Sequence, residues 1–164
     1  MTALVLGVDP GAKGALALLA PWAAVHRVRA AESRIVDVID MPEATGSALG
    51  THLRDWLADH SPHTVAVAWV EQVHSMPGQG VASTFKFGAN YGAILGALGA
   101  MGIPVELRTP SVWKKAMRVT ADKGSSRQLA TQLWPERARD FSLVKHDGRA
   151  EACLLAEYGW RAGR

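Results

Sequence analysis

The chain has one cysteine, Cys153, among 164 residues. No internal disulfide can form, and a reducing, cytoplasmic setting is expected. No basic segment opens the sequence, and its first apolar run is broken by Asp9 and Lys13, so no signal peptide is expected. The longest stretch rich in Gly, Ala and Leu, residues 88–103, contains Asn90 and is too short to span a bilayer, so no membrane association is expected. A Gly-Lys-Ser/Thr phosphate loop is absent, which argues against a nucleotide cofactor. Internal repeats and low-complexity tracts are also missing, and residues 1–164 read as a single domain. Charged residues make up 20% and hydrophobic ones 48%, the balance of a folded chain rather than a disordered one. The formal charge of +3 suits a polyanionic partner without demanding one.

The sequence is organised around residues 4–17, LVLGVDPGAKGALA. An apolar strand runs to Asp9, a turn follows at Pro10 and Gly11, and a second apolar strand begins near Ala15. Aspartate is a poor strand former, and this one ends a strand that should be buried. A buried carboxylate must be paired, hydrogen-bonded or metal-bound. The bland alternative is a turn residue in Asp-Pro-Gly.

Residues 21–31 read as a loop or the frayed start of the next strand, and 34–41 as a strand solvated on one face. Residues 47–58 form an amphipathic helix for which Ser47 is a candidate N-cap. The run 64–70, TVAVAWV, suits a central strand and ends at a second carboxylate, Glu71. An irregular loop over 72–79 holds His74. Residues 81–101 form a long helix in which Gly88, Gly92 and Gly96 recur every fourth position. Each helical glycine costs roughly 1 kcal/mol against alanine, so a close neighbour is expected on that face: another helix, the sheet or a second subunit. A short strand at 104–107 and helices opening at Pro110 and at Ser125 follow. Residues 140–144 read as a linker before a last helix over 147–158.

Asp147 and Glu151 lie four apart, so that helix puts both on one face. Four carboxylates gathered without local cations repel one another. Hard divalent ions relieve that repulsion, and Mg²⁺ or Mn²⁺ are the expected occupants. Two such ions per site would clamp the attacking and leaving oxygens of a phosphodiester. Asp9 would bridge them, with Glu71 on one and Asp147 with Glu151 on the other. Taken singly, Asp147 also suits a helix cap and Glu151 a solvent-facing position. His146 reads as a further ligand, a proton shuttle or an exposed loop histidine.

From Arg108 to Arg139 cations outnumber acids, including Lys114, Lys115, Arg118, Lys123 and Arg127. Lys114 and Arg118 are expected on one helix face. Such a stripe is either a phosphate-backbone footprint or an ordinary solvated face. Lys86 also points toward a nucleic-acid role, and Trp113 reads as core rather than a base-stacking platform.

The segments GVDPGAKGALA, WVEQVHSMPGQGVASTFKFGANYG, TPSVWKKAM and HDGRAEACLLA, in that order, resemble the RuvC-type Holliday junction resolvases, nearest their compact phage-like branch. The resemblance covers nearly the whole chain. It implies a ribonuclease H-like α/β fold, with a five-stranded mixed sheet flanked by helices. It also implies a homodimer that nicks four-way, branched DNA in pairs by two-metal catalysis. Asp9, Glu71 and Glu151 match the family's acids by motif, Asp147 matches one by type, and Lys114 and Lys123 fall where the family carries DNA-contacting lysines. His74 stands where some members have an aromatic wedge. The final acid pair is spaced by four with Glu last, unlike the better-known members. A non-catalytic junction binder and a broader flap or fork nuclease are the competing readings. A sugar-kinase-like ATPase needs two lobes, which 164 residues cannot supply.

Overall fold

The computed structural model describes residues 3–21, 31, 33–61, 63–74 and 80–163. In chain order the elements are β1 (Ala3–Asp9), β2 (Ala15–Pro21), β3 (Ser33–Asp40), α1 (Ser47–Ala58), β4 (Thr64–Glu71), α2 (Val81–Ala100), β5 (Val105–Arg108), α3 (Pro110–Ala116), α4 (Ser125–Leu133) and α5 (Asp147–Ala162). Two short 3-10 segments, Pro135–Phe141 and Val144–His146, join α4 to α5. The loop read over 21–31 and the end of the one over 72–79 lie almost wholly outside the described residues.

The strands form one mixed sheet ordered β3-β2-β1-β4-β5. β1 pairs antiparallel with β2 through the Pro-Gly turn and parallel with β4, and β4 pairs parallel with β5. The central strands carry apolar residues at nearly every position because helices cover both faces. Strand periodicity sorts them. Leu4, Leu6 and Val8 of β1 and Ala68 and Val70 of β4 pack with Leu49 and Leu53 of α1 and Ile94 and Leu98 of α2. Val5 and Trp69 face the other way, into a core with Trp113 of α3, Trp134 and the inner stripe of α5. Each fully buried leucine stabilises the fold by roughly 1.5–3 kcal/mol.

The same alternation fixes the side of the two strand-end acids. Asp9 continues the series Val5, Gly7, Asp9, and Glu71 continues Trp69, Glu71, so both belong to the α5 face. Gly7 explains how α5 comes so near. A Cβ there would stand 2.0 Å from the carbonyl oxygen of Ala152, so only glycine admits the helix backbone. At Gly148 a Cβ would stand 2.3 Å from the Lys13 carbonyl oxygen, which seats the start of α5 on the β1–β2 turn.

Several expectations change. Ser47 is the first helical residue of α1 rather than its cap; Gly46 precedes it, without a side-chain capping bond. The linker expected over 140–144 begins within the 3-10 segment Pro135–Phe141, whose Phe141 is buried in the core. A 3-10 segment of this length has no 3.6-residue hydrophobic period to betray it. α5 continues to Ala162, four residues beyond the expected end. Among the described residues, no helix and no strand covers the glycine face of α2: a Cβ at Gly88, Gly92 or Gly96 would meet nothing within 4 Å. α2 buries its opposite side through Ile94 and Leu98.

Candidate active site

The last paired residues of β1 and β4 are Val8 and Val70. Asp9 and Glu71 are each one step beyond, at adjacent ends of strands about 4.8 Å apart. Asp9 uses Oδ1 to accept the Gly11 N–H at 3.1 Å, so it does shape the Pro-Gly turn. That bond leaves the carboxylate in place beneath α5, where Glu151 adds a third negative charge.

The electrostatics record this crowding. Burial pushes the Asp9 carboxyl up to about 6; the Gly11 N–H opposes, Glu151 adds to the rise, and Lys114 opposes. Burial also pushes Glu71 up to about 7, reinforced by the charges of Asp9 and Glu151 and opposed by a hydrogen bond from Trp113 and by Lys114. Two carboxyls that ionise later than usual, at the ends of adjacent strands, are an unfavourable arrangement that an added cation relieves.

Part of that relief comes from α3 and α4. Lys114 donates from Nζ to Glu151 Oε1 at 2.7 Å, and Ser126 donates from Oγ to the same oxygen at 3.1 Å. Trp113 donates from Nε1 to Glu71 Oε1 at 3.0 Å, deep in the interior. Trp113 is therefore core, as its sequence context suggests, and also a partner of an acid. Neither this bond nor the one from Ser126 is visible in the sequence. The available signal is general: a buried indole N–H or hydroxyl needs an acceptor.

Asp147 is placed differently from the other three acids. It opens α5 and caps nothing with its side chain; Oδ1 accepts from Arg127 Nε at 2.7 Å, and the carboxylate is half-exposed. It is not among the charges acting on Asp9 or Glu71. The structure thus gathers Asp9, Glu71 and Glu151, and sets Asp147 to one side with Arg127. Among the described residues, no group of three or more His, Cys, Asp or Glu side chains is drawn together tightly enough to hold an ion. At Glu151 the counter-charge is the Lys114 ammonium, 2.7 Å from Oε1.

His146 does not join the acids. It is buried, and its Nδ1 accepts the Leu143 N–H at 3.3 Å. Burial and then Arg149 hold its pKa down, and the carboxylates that act on it are Asp40 and Asp140. It sits beside the bidentate pair in which Arg149 donates to both oxygens of Asp40, at 2.5 and 2.7 Å.

Of the cations read as a nucleic-acid footprint, Lys114 and Arg127 are engaged with Glu151 and Asp147. Lys115, Lys123, Lys86 and His74 are exposed. Arg118 is exposed too, but it does not share the helix face of Lys114: α3 ends at Ala116, and Arg118 takes the left-handed conformation with φ 59°. Lys86 lines a cleft of about 540 Å³ with Phe87, Asn90, Met41 and the Pro10–Gly11 turn beside Asp9. No described helix is long and apolar enough to cross a membrane.

No protein-family model matches the chain. Its fold is shared with solved structures at low sequence identity. The RuvC of T. thermophilus in complex with a Holliday junction substrate superposes with a TM-score of 0.61 at 17% identity, over 98% of this chain and 96% of that one. The yeast mitochondrial Holliday junction resolvase Ydc2 gives a TM-score of 0.62 at 15% identity, over 98% and 80%. These likenesses establish the ribonuclease H-like fold. Sequence relatives carry the assignment further. The crossover junction endodeoxyribonuclease RuvC of Pseudarthrobacter chlorophenolicus is 31% identical, over 99% of this chain and 83% of its own length. That of Paenarthrobacter aurescens is also 31% identical, over 99% and 84%. With identity at that level across nearly the full length of both partners, the chain belongs to the RuvC family of crossover junction endodeoxyribonucleases.

Proposed function

We propose that this protein is a metal-dependent, structure-selective endonuclease that resolves four-way DNA junctions by paired nicks, acting as a homodimer. One observation carries the chemistry. Asp9 and Glu71 end adjacent strands under Glu151; burial lifts the two carboxyls to about 6 and about 7, with Glu151 adding to both rises and Asp9 to that of Glu71. The donor set is entirely carboxylate oxygen, which fits Mg²⁺ or Mn²⁺ and not a thiophilic ion. Asp9, at the end of β1, would hold a divalent ion together with the other two acids. Asp147, paired with Arg127 in this structure, would join them once that pair opens. When bound, two such ions would activate water and stabilise the leaving oxygen of a phosphodiester.

The protein's own groups set the rest. Lys114, Lys115, Arg118 and Lys123 offer cations on the side of α3 and α4 for backbone phosphates. His74 and Lys86 lie nearer the β4–α2 connection and suit the strand that crosses the site. The uncovered glycine face of α2 is the candidate dimer contact, since Val81 and Phe85 on this helix are 87% and 78% exposed.

The test is a fluorescent immobile four-way junction beside duplex, flap and single-stranded controls, in Mg²⁺, Mn²⁺ or EDTA. Symmetric paired nicks on the junction, lost in EDTA and in Asp9→Asn, are expected. Equal cutting of flaps and forks would leave a nuclease of broader selectivity. Tight junction binding without cleavage in either metal would leave a binding module.

A further inference from the structure

We infer that Trp113 is the positioning residue for Glu71: its buried indole N–H holds the carboxylate in the orientation from which it meets a divalent ion. This rests on the metal-dependent reading of the site given above.

Glu71 is only 8% exposed and carries the negative charges of Asp9 and Glu151 close by. A glutamate side chain has three rotatable bonds, and like-charge repulsion drives it away from its neighbours. Trp113, with no exposed surface, meets it with Nε1 at 3.0 Å from Oε1. That bond commits one oxygen and leaves Oε2 and the second lone pair of Oε1 for another partner.

The chemistry of the donor matters. An indole N–H is neutral, so it orients the carboxylate without cancelling the charge a cation requires. The adjacent residue shows the contrast. Lys114 sends its ammonium to Glu151 instead, with Nζ 5.2 Å from the Trp113 ring. Two consecutive residues of α3 thus serve two acids on different elements, one by a neutral and one by a charged donor. The placement of the indole is itself rigid. Pro110 starts the helix, and Trp113 and Met117, four residues apart, are both buried against the α5-side core.

A purely packing role for Trp113 predicts the same burial, so the experiment must read the hydrogen bond. The wild-type protein, with its six tryptophans, is labelled with ¹⁵N and its indole resonances are assigned through bonds. Mg²⁺ is then added without DNA. The Trp113 indole cross-peak is expected to move saturably with Mg²⁺ and to stay in place in Glu71→Gln. In cleavage, Trp113→Phe is expected to raise the Mg²⁺ needed for half-maximal rate by about tenfold, the usual scale for removing a partner of a metal ligand. Junction affinity in EDTA is expected to stay within about twofold, since the indole touches no DNA. An indole peak that stays fixed while the amides of Asp9 and Gly11 shift would overturn the inference and leave the metal site standing. Should no resonance respond to Mg²⁺ or Mn²⁺, the metal reading fails and the inference fails with it. The titration uses the wild-type protein, so it decides the matter even if Trp113→Phe does not fold.

Discussion

Lys114 places its ammonium 2.7 Å from Oε1 of Glu151, and its charge also holds down the carboxyls of Asp9 and Glu71. One side chain of α3 therefore pairs with an acid of α5 and favours the ionised form of those on β1 and β4. Replacing Lys114 with Met removes that influence, so the Asp9 and Glu71 carboxyls rise further. The acid limb of the pH–rate profile for junction cleavage is expected to move to higher pH, with a rate loss of at least about tenfold near pH 7. A profile of unchanged shape, merely scaled down, would assign Lys114 to DNA contact alone.

The same raised carboxyls make stability depend on pH with a definite sign. Asp9 rises from 3.8 to about 6 and Glu71 from 4.5 to about 7 on folding. The folded chain therefore holds protons that the unfolded chain has lost, and stability falls as pH rises from about 4 to about 7. For two coupled buried groups the effect is on the order of a few kcal/mol. Asp9→Asn removes one charge and relieves Glu71. In metal-free buffer at pH 8, this variant is expected to melt several degrees above the wild type, with the two curves converging near pH 4.5, while cleavage is abolished. Mg²⁺ then raises the wild-type melting temperature more than that of the variant. Equal melting temperatures at both pH values would show that the acids are not crowded in solution.

What was legible from the sequence were the contradictions of local preference. Asp9 and Glu71 stand out because a carboxylate at the end of an apolar strand has no local reason to be there. Glu151 is reached through helical spacing combined with the leucine stripe that turns α5 toward the sheet. The exact company of each acid is a tertiary matter. Asp147 has the right type and spacing, but Arg127, on α4, draws it aside. Trp113 reads as core and is core; its acceptor comes from β4, 42 residues away in the chain. The glycines of α2 announce a face without side chains, yet their spacing does not say what lies opposite. Gly7 and Gly148 make the close approaches instead, and neither belongs to a pattern.

Arg118 is the one described residue other than glycine with positive φ, 59°. It ends α3 in the left-handed conformation, where Val119 N–H returns to the Lys114 carbonyl oxygen at 2.9 Å. Glycine is the usual choice there, because the conformation costs an L-residue roughly 1–2 kcal/mol. Arg118→Gly relieves that strain but frees the unfolded chain, so a net gain of up to about 1 kcal/mol in chemical denaturation is expected. If the strain is kept for a phosphate contact, junction binding should weaken in the same variant and its salt dependence should fall by about one ion. A variant that gains stability with binding and salt slope unchanged would remove Arg118 from the DNA surface.

The open face of α2 gives a test of assembly that does not disturb the subunit. Among the described residues, a Cβ at Gly92 meets nothing within 4 Å, so a side chain there starts into open space. Leucine also favours the helix over glycine by roughly 1 kcal/mol, so the isolated subunit should fold at least as well. Any loss must then come from what approaches that face from outside. Light scattering is expected to give the wild type twice the chain mass of 17.5 kDa and Gly92→Leu the single mass. On a four-way junction, the variant should also lose the pairing of nicks before it loses single nicks, because each subunit keeps its own Asp9, Glu71 and Glu151. A variant that keeps the wild-type mass would move the dimer contact off this helix face.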